Sequence, residues 1–163
     1  MSETAGRFRQ GVRLGIDVGT VRVGVARSDA SGLLAVPVET IDRGLGDEAT
    51  VRRIGELVAE HGAIEVLVGH PLSLNGTAGP AAAAASDFAA RIASELPDTP
   101  VRLVDERLTT VSAQRNLKAA GRTHRGARSV IDQEAAVIVV QHALDRERAS
   151  GSPAGTTVRR HGA

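Results

Sequence analysis

The sequence has no cysteine, tryptophan or tyrosine, and its 163 residues include only two phenylalanines, Phe8 and Phe88. Without thiols there are no disulfides, no thiolate nucleophile and no Cys-based zinc or iron–sulfur centre. The shortage of rings counts against a single-strand binder that stacks bases on aromatic platforms. An excess of one charge is also missing: 20 basic against 19 acidic residues leave +1. That balance excludes a basic tail protein or an acidic solvating segment, so any preference for nucleic acid must lie in where the arginines sit. No apolar run approaches the roughly 20 residues of a membrane-spanning helix. Met1 to Gly11 lacks the apolar centre of a signal peptide, and a cytoplasmic protein with no membrane partner is expected. Lysine is nearly absent, Lys118 standing against nineteen arginines. Arginine suits bidentate phosphate contact, but GC-rich coding gives the same bias and carries more weight.

What is present is enough for one packed domain, with 42% hydrophobic residues in a chain of single-domain length. Residues 1–11 and 149–163, rich in small, polar, Gly and Pro residues, read as a flexible N-terminus and a disordered C-terminal tail. Between them, residues 12–148 carry the domain. Val12, Leu14 and Ile16 alternate with polar or small residues at the strand period, as do Val21, Val23 and Val25. The short Val18-Gly19-Thr20 link predicts an antiparallel hairpin, and Leu34 to Ile41 reads as a third strand. Val51, Ile54, Leu57 and Val58 fall at helical spacing within Asp47–His61, with Gly62 placed to stop that helix. Ile64 to Val68 is a buried strand. After a loop from Gly69 to Gly79, Pro80 opens an Ala-rich helix to Leu96. Val101 to Val104 is a fifth strand, followed by a helix over about 109–120, a basic loop over 122–129 and a final helix over about 130–148. The expected fold is α/β: a mixed five-stranded sheet, antiparallel in its first three strands, with helices on both faces.

Three groups of acids stand where chemistry could use them. Asp17 closes the first strand and shares a face with Gly15; Gly24 and Ala26 share a face on the neighbouring strand. If those faces coincide, Asp17 stands over a floor with room for a metal ion or phosphate, although Asp beside Gly also serves hairpin turns. Asp132 heads the stripe Ala135, Ala136, Val139, Val140 and Ala143, the core-facing side of an amphipathic helix. A carboxylate there is costly to bury unless paired or bound to a metal, while the helix dipole alone also favours Asp near a helix start. Asp105, Glu106 and Arg107 follow the fifth strand at its C-terminal end, where open α/β sheets place their sites. Parity does not choose between the two acids, and an exposed charged loop remains the alternative. Hard oxygen donors point to Mg²⁺ or Mn²⁺ rather than zinc. Two such ions can activate water and steady the leaving oxygen of a phosphodiester.

Four ordered blocks resemble the YqgF/RuvX family. They are Gly15-Ile16-Asp17-Val18-Gly19-Thr20 with Arg22, Gly24 and Ala26; Val68-Gly69-His70-Pro71-Leu72 running into Asn75-Gly76-Thr77 and Gly79-Pro80; Asp105-Glu106-Arg107-Leu108-Thr109-Thr110; and Asp132-Gln133 with Ala135-Ala136. The resemblance spans about Val12 to Arg148. It implies an RNase H-like fold and a nuclease of pre-16S rRNA 5′-end maturation, with Holliday-junction resolution as the alternative activity. By motif position it makes Asp17, Glu106 and Asp132 the catalytic, metal-binding acids, with Asp105 as a further metal candidate and no covalent intermediate on any side chain.

Arg122, His124, Arg125 and Arg128 form a positive run that could clamp a phosphate backbone or simply face solvent. Arg22 and Arg107, inside motifs, suit substrate contact or orientation of the acids. The partner expected is precursor rRNA or branched DNA; a junction resolvase making two symmetric cuts would act as a homodimer. Two readings compete. Sugar kinases and actin-like ATPases also open with an Asp-x-Gly-Thr hairpin, but need a second domain. A non-catalytic rRNA- or DNA-binding maturation factor could use the same scaffold without cutting.

Overall fold

The structure, a computed structural model, describes residues 8–107 and 125–159, with side chains resuming at Asp132. The sequence-expected helix over 109–120 and Arg122 lie outside the described residues. The strands are β1 (Arg13–Val18), β2 (Arg22–Ser28), β3 (Ala35–Asp42), β4 (Glu65–His70), β5 (Val101–Asp105) and β6 (Thr156–Thr157). The helices are α1 (Asp47–His61), α2 (Pro80–Glu95) and α3 (Arg125–Ser150), with a single 3₁₀ turn at Arg43–Leu45. All six strands form one sheet in the order β3-β2-β1-β4-β5-β6. The first three pair antiparallel, β1–β4 and β4–β5 pair parallel, and β5–β6 pairs antiparallel.

Burial explains the local choices. β1 and β4 are buried on both faces, and their parallel pairing needs the crossover that α1 provides in part. Pro80 sits in the first turn of α2, where its missing N–H costs nothing. Gly62 ends α1 in the left-handed conformation, φ +62°, which glycine adopts without a steric penalty. One face of the sheet carries Leu14, Ile16, Val23, Val25, Val66 and Val68 against Ile54, Leu57, Phe88 and Ile92 of α1 and α2. The opposite face is built from smaller groups, and α3 lies on it through Ala135, Ala136, Val139, Val140 and Ala143. The stripe read at helical spacing is therefore the buried side of α3.

Three expectations need correction. The Gly15 and Gly24 floor is not open space. A Cβ at Gly24 would run into the Asp132 carbonyl oxygen, and one at Gly15 would meet Val140 and come within 3.0 Å of the Ala136 carbonyl oxygen. Those glycines let the α3 backbone lie directly on the sheet. Secondly, α3 begins at Arg125, so the expected basic loop over 122–129 is helical from that residue on. Thirdly, residues 151–159 are not a loose tail. β6 adds a sixth strand to β5, and Arg102 donates to the Ala154 carbonyl (2.7 Å), the Gly155 carbonyl (2.8 Å) and Thr157 Oγ1 (2.8 Å). At the other terminus Arg9 donates to Glu147 and Glu65, and the Phe8 ring lies under the guanidinium groups of Arg13 (4.6 Å) and Arg148 (4.1 Å). Both segments are anchored by polar or cation–π contacts, with Ala154 and Val158 adding apolar burial at the C-terminal one, and hydrophobic periodicity does not register so short a stretch.

Candidate active site

Asp17, Glu106 and Asp132 are carboxylates with 1%, 2% and 2% of their surface exposed. Burying one carboxylate is expensive; burying three at one end of a sheet calls for a compensating cation or donors. Each comes from a different element. Asp17 is the next-to-last residue of β1, Glu106 follows β5 directly, and Asp132 lies in the second turn of α3.

The register brings them to one row. Asp17 pairs with Gly24 of β2, and the Asp132 backbone rests on Gly24. On the other side, the β1–β4 ladder runs to Ile16↔Val68, so its next step sets Asp17 level with Gly69. A Cβ at Gly69 would stand 2.6 Å from Glu106 Oε1: the Glu106 carboxylate lies in the cradle that this glycine leaves. Neighbouring strands are about 4.8 Å apart, so the row Gly24–Asp17–Gly69 gathers the three acids along one short edge. The α3 face of the sheet, with Val104 buried on it, is also the face to which Glu106 belongs by parity.

Parity sends Asp105 to the other side. Its carboxylate is held by Arg107, which donates through Nε (2.9 Å) and Nη2 (2.6 Å) and through its backbone N–H (2.8 Å). Those bonds hold Asp105 below the usual carboxylate range, against the opposing effect of burial. Burial pushes the neighbouring His70 imidazole down, with the Asp105 charge opposing. The Glu106 N–H donates to the His70 carbonyl (3.1 Å), tying the end of β5 to that of β4.

Arg22 shares its face of β2 with Gly24 and donates through Nε to Asp132 Oδ2 at 3.1 Å. It is 19% exposed, so its guanidinium reaches from solvent into the acidic row. Such a charge-assisted bond fixes the carboxylate and offsets part of its burial. Arg107 lies beside Gly76 of the β4–α2 loop, with Nη1 3.1 Å from where a Cβ there would be. Arg125 and Arg128 belong to the first turn of α3, with side chains outside the described residues.

Two contributors are not evident from the sequence. Gly69 makes room for Glu106; it stands inside the Val68-to-Leu72 block, but nothing in the sequence pairs it with that acid. Gln133 Nε2 donates to Thr40 Oγ1 (2.9 Å), pinning the residue after Asp132 to β3, a long-range contact with no local pattern.

Hard oxygen donors, deeply buried and converging on one row, are the donor chemistry that suits Mg²⁺ or Mn²⁺. The carboxylates do not already close into a cage: among the described residues, no group of three or more His, Asp or Glu is set to hold an ion. Like charges in a poorly screened site repel, and Arg22 engages one of them. Among the described residues, no helix is long and apolar enough to cross a membrane.

A family model described as "RuvX: Holliday junction resolvase" matches residues 11–146. Similar curated relatives include a "Putative pre-16S rRNA nuclease" of Nocardioides sp., 55% identical over 153 residues, which cover 93% of this chain and 98% of the relative. Its namesake in Streptomyces coelicolor is 52% identical over 152 residues, covering 93% and 90%. Among solved structures, RuvC of T. thermophilus in complex with a Holliday junction substrate matches with a TM-score of 0.55 at 16% identity, covering 90% of this chain and 99% of that one. At that identity the likeness concerns the fold alone, and the shared fold is the RNase H-like one expected from the sequence.

Proposed function

The chain belongs to the RuvX family, and from that premise we propose that it is a divalent-metal-dependent nuclease acting in the 5′-end processing of pre-16S rRNA in the cytoplasm. The observation that carries this reading is the buried row of Asp17, Glu106 and Asp132, drawn from β1, β5 and α3, with Arg22 reaching into it from solvent. Asp17, Glu106 and Asp132 would hold Mg²⁺ or Mn²⁺, which as a pair of ions supplies an activated water and charge stabilisation at the leaving oxygen.

The chain's own residues set the conditions for that chemistry. Asp17 is fixed by the central strand, so its carboxylate has little freedom to move when charge shifts at the row. Glu106 is cradled over Gly69 with its backbone bonded to β4. Asp132 is oriented by Arg22, whose guanidinium is also available to a phosphate approaching from solvent. Arg107, charged and a third exposed, stands one residue from Glu106 as a second phosphate contact. Arg125 and Arg128, in the first turn of α3, extend that role, and so does Arg122, close to them in the sequence. Asp105, neutralised by Arg107, serves better as the anchor of that arginine than as a metal ligand. Burial against α3 excludes bulk water from the acids on the sheet side.

Purified protein with Mg²⁺ or Mn²⁺ should trim precursor 16S rRNA. Asp17→Asn should lower cleavage at least a hundredfold while retaining substrate binding. A variant that cuts at the parental rate overturns the assignment, and a parent that binds precursor RNA without cutting it supports a non-catalytic maturation factor. The family description and the RuvC-like fold favour one second reading, Holliday-junction cleavage by a homodimer. Paired symmetric cuts in a four-way DNA junction, with no trimming of precursor RNA, would select it.

A further inference from the structure

An unstacked base needs an apolar or aromatic surface, and neither phenylalanine of the chain is placed to serve. Phe88 is 2% exposed in the core, and Phe8 is engaged by Arg13 and Arg148 at the end of the sheet away from the acids. The large hydrophobic side chains exposed among the described residues are Val21, Leu33, Leu34, Val36, Leu45 and Leu74. Leu33, Leu34 and Val36 lie where β2 turns into β3, at the far end. Val21, Leu45 and Leu74 stand at the end that carries the acids, because β1, β3 and β4 all run towards it.

Leu74 differs from the other two in how it is held. It sits at the tip of a turn in which the Gly76 N–H donates to the Ser73 carbonyl (2.8 Å), the Ser73 N–H to the Thr77 carbonyl (3.1 Å) and the Thr77 N–H to Asn75 Oδ1 (3.0 Å). Gly76 has φ +84°, which suits glycine and no bulky residue. The Arg107 guanidinium lies against this glycine and is itself clamped by Asp105. A chain of short contacts thus runs from Asp105, the neighbour of Glu106, through Arg107 to the turn, and a 76% exposed leucine is presented at its tip. Isolated exposed leucines are ordinary on protein surfaces. One held on a braced turn beside a phosphodiester site, in a protein whose two phenylalanines are both occupied elsewhere, has a use that folding does not explain.

We infer that Leu74 is a substrate-contacting wedge that packs against a nucleobase unstacked beside the scissile phosphate. The substrate class is therefore nucleic acid carrying an unpaired or unstacked nucleotide next to the cut, rather than continuous duplex. The bracing of the turn lowers the ordering cost of binding, and aliphatic side chains are known to serve as wedges between bases. The inference rests on the nuclease reading above.

The test uses the full chain in EDTA, so that binding is read without cleavage. The ligands are an RNA hairpin with a single-stranded 5′ flank and a four-way DNA junction, each with 2-aminopurine beside the expected cut. The parent should bind and brighten the probe. Leu74→Ser should bind about tenfold more weakly, the worth of burying most of a leucine, without the fluorescence rise and with an unchanged melting temperature. Leu74→Met should restore both, and Leu33→Ser, at the far end, should change neither. If Leu74→Ser binds and brightens as the parent does, the wedge is wrong while the nuclease reading stands. A parent that neither binds nor, with Mn²⁺, cuts either nucleic acid removes the nuclease reading and the wedge with it.

Discussion

Two glycines beside the acids make different demands, and an alanine scan should separate them. At Gly24 the obstacle to a methyl group is the Asp132 carbonyl oxygen, part of a helix backbone. Gly24→Ala must therefore lift the second turn of α3, with an overpacking cost of about 1–3 kcal/mol, and carry Asp132 out of line. At Gly69 the obstacles are side-chain atoms, Glu106 Oε1 at 2.6 Å and Val139 Cγ2 at 3.0 Å, which can shift more readily than a helix backbone. Gly69→Ala should cost less than Gly24→Ala and still depress cleavage severely, because the carboxylate leaves its cradle. Thermal melting and cleavage rates measured on both variants check this; equal destabilisation would refute it. The same contrast shows what can be read from residue types alone. Asp17 and Asp132 stand out in the sequence because each heads or ends a periodic element. The choice of Glu106 over Asp105 is not readable there, since both faces of the sheet are covered and parity has no solvent side to refer to. It takes Val104, buried under α3, to fix which acid turns inwards.

At the scale of elements, hydrophobic periodicity locates α1, α2 and the five longer strands because their burial repeats at 3.6 or 2 residues. β6 leaves no such trace. Both its residues are exposed threonines, and what holds them is the ladder to β5 with the three hydrogen bonds from Arg102. Polar attachments of this kind depend on a partner some 50 residues away in the chain and have no local signature. A chain ending at Ser150 should lose β6, leave Arg102 and the β5 edge open, and be destabilised by about 2 kcal/mol, the net worth of a few exposed hydrogen bonds. Cleavage at low temperature should survive, because the acids come from β1, β5 and the start of α3. A truncated chain as stable as the parent in urea would mean that β6 contributes nothing to holding β5.

Across the whole molecule, charge is buried at both ends of the sheet and handled in two ways. At one end, three acids line a site proposed to take divalent cations, and Arg22 pairs with one of them, Asp132. At the other, the starts of β1 and β4 and the last turns of α3 bring Arg13, Glu65 and Glu147 together with Arg9. Arg13 Nη2 stands 3.1 Å and Arg9 Nη2 2.7 Å from Glu147 Oε1, and Arg9 Nη2 stands 2.8 Å from Glu65 Oε1. That network is balanced, with two positive and two negative groups, and it clips the N-terminal segment and the end of α3 to the sheet. Burial pushes the Glu147 carboxyl up, but hydrogen bonds from Arg9 and the charges of Arg13 and Arg9 outweigh it and hold it down at about 2, against 4.5 in an unstructured chain. A carboxyl depressed on folding stabilises the native state fully above its unfolded value and loses that contribution as protons reach it. Stability should therefore be level above about pH 5 and fall as pH drops from 4.5 towards 2. Glu147→Gln leaves the buried Arg13 with Glu65, 3.8 Å away, as its remaining charge partner and should cost about 3 kcal/mol at neutral pH. Because the network lies at the end away from the acids, the variant should keep the parental cleavage rate wherever it remains folded. Its urea midpoint should also change less than the parent's between pH 5 and pH 3, since the group that titrates there is gone. An acid limb as steep as the parent's would place the titrating charge elsewhere and leave the clip between the termini and the sheet without its electrostatic basis.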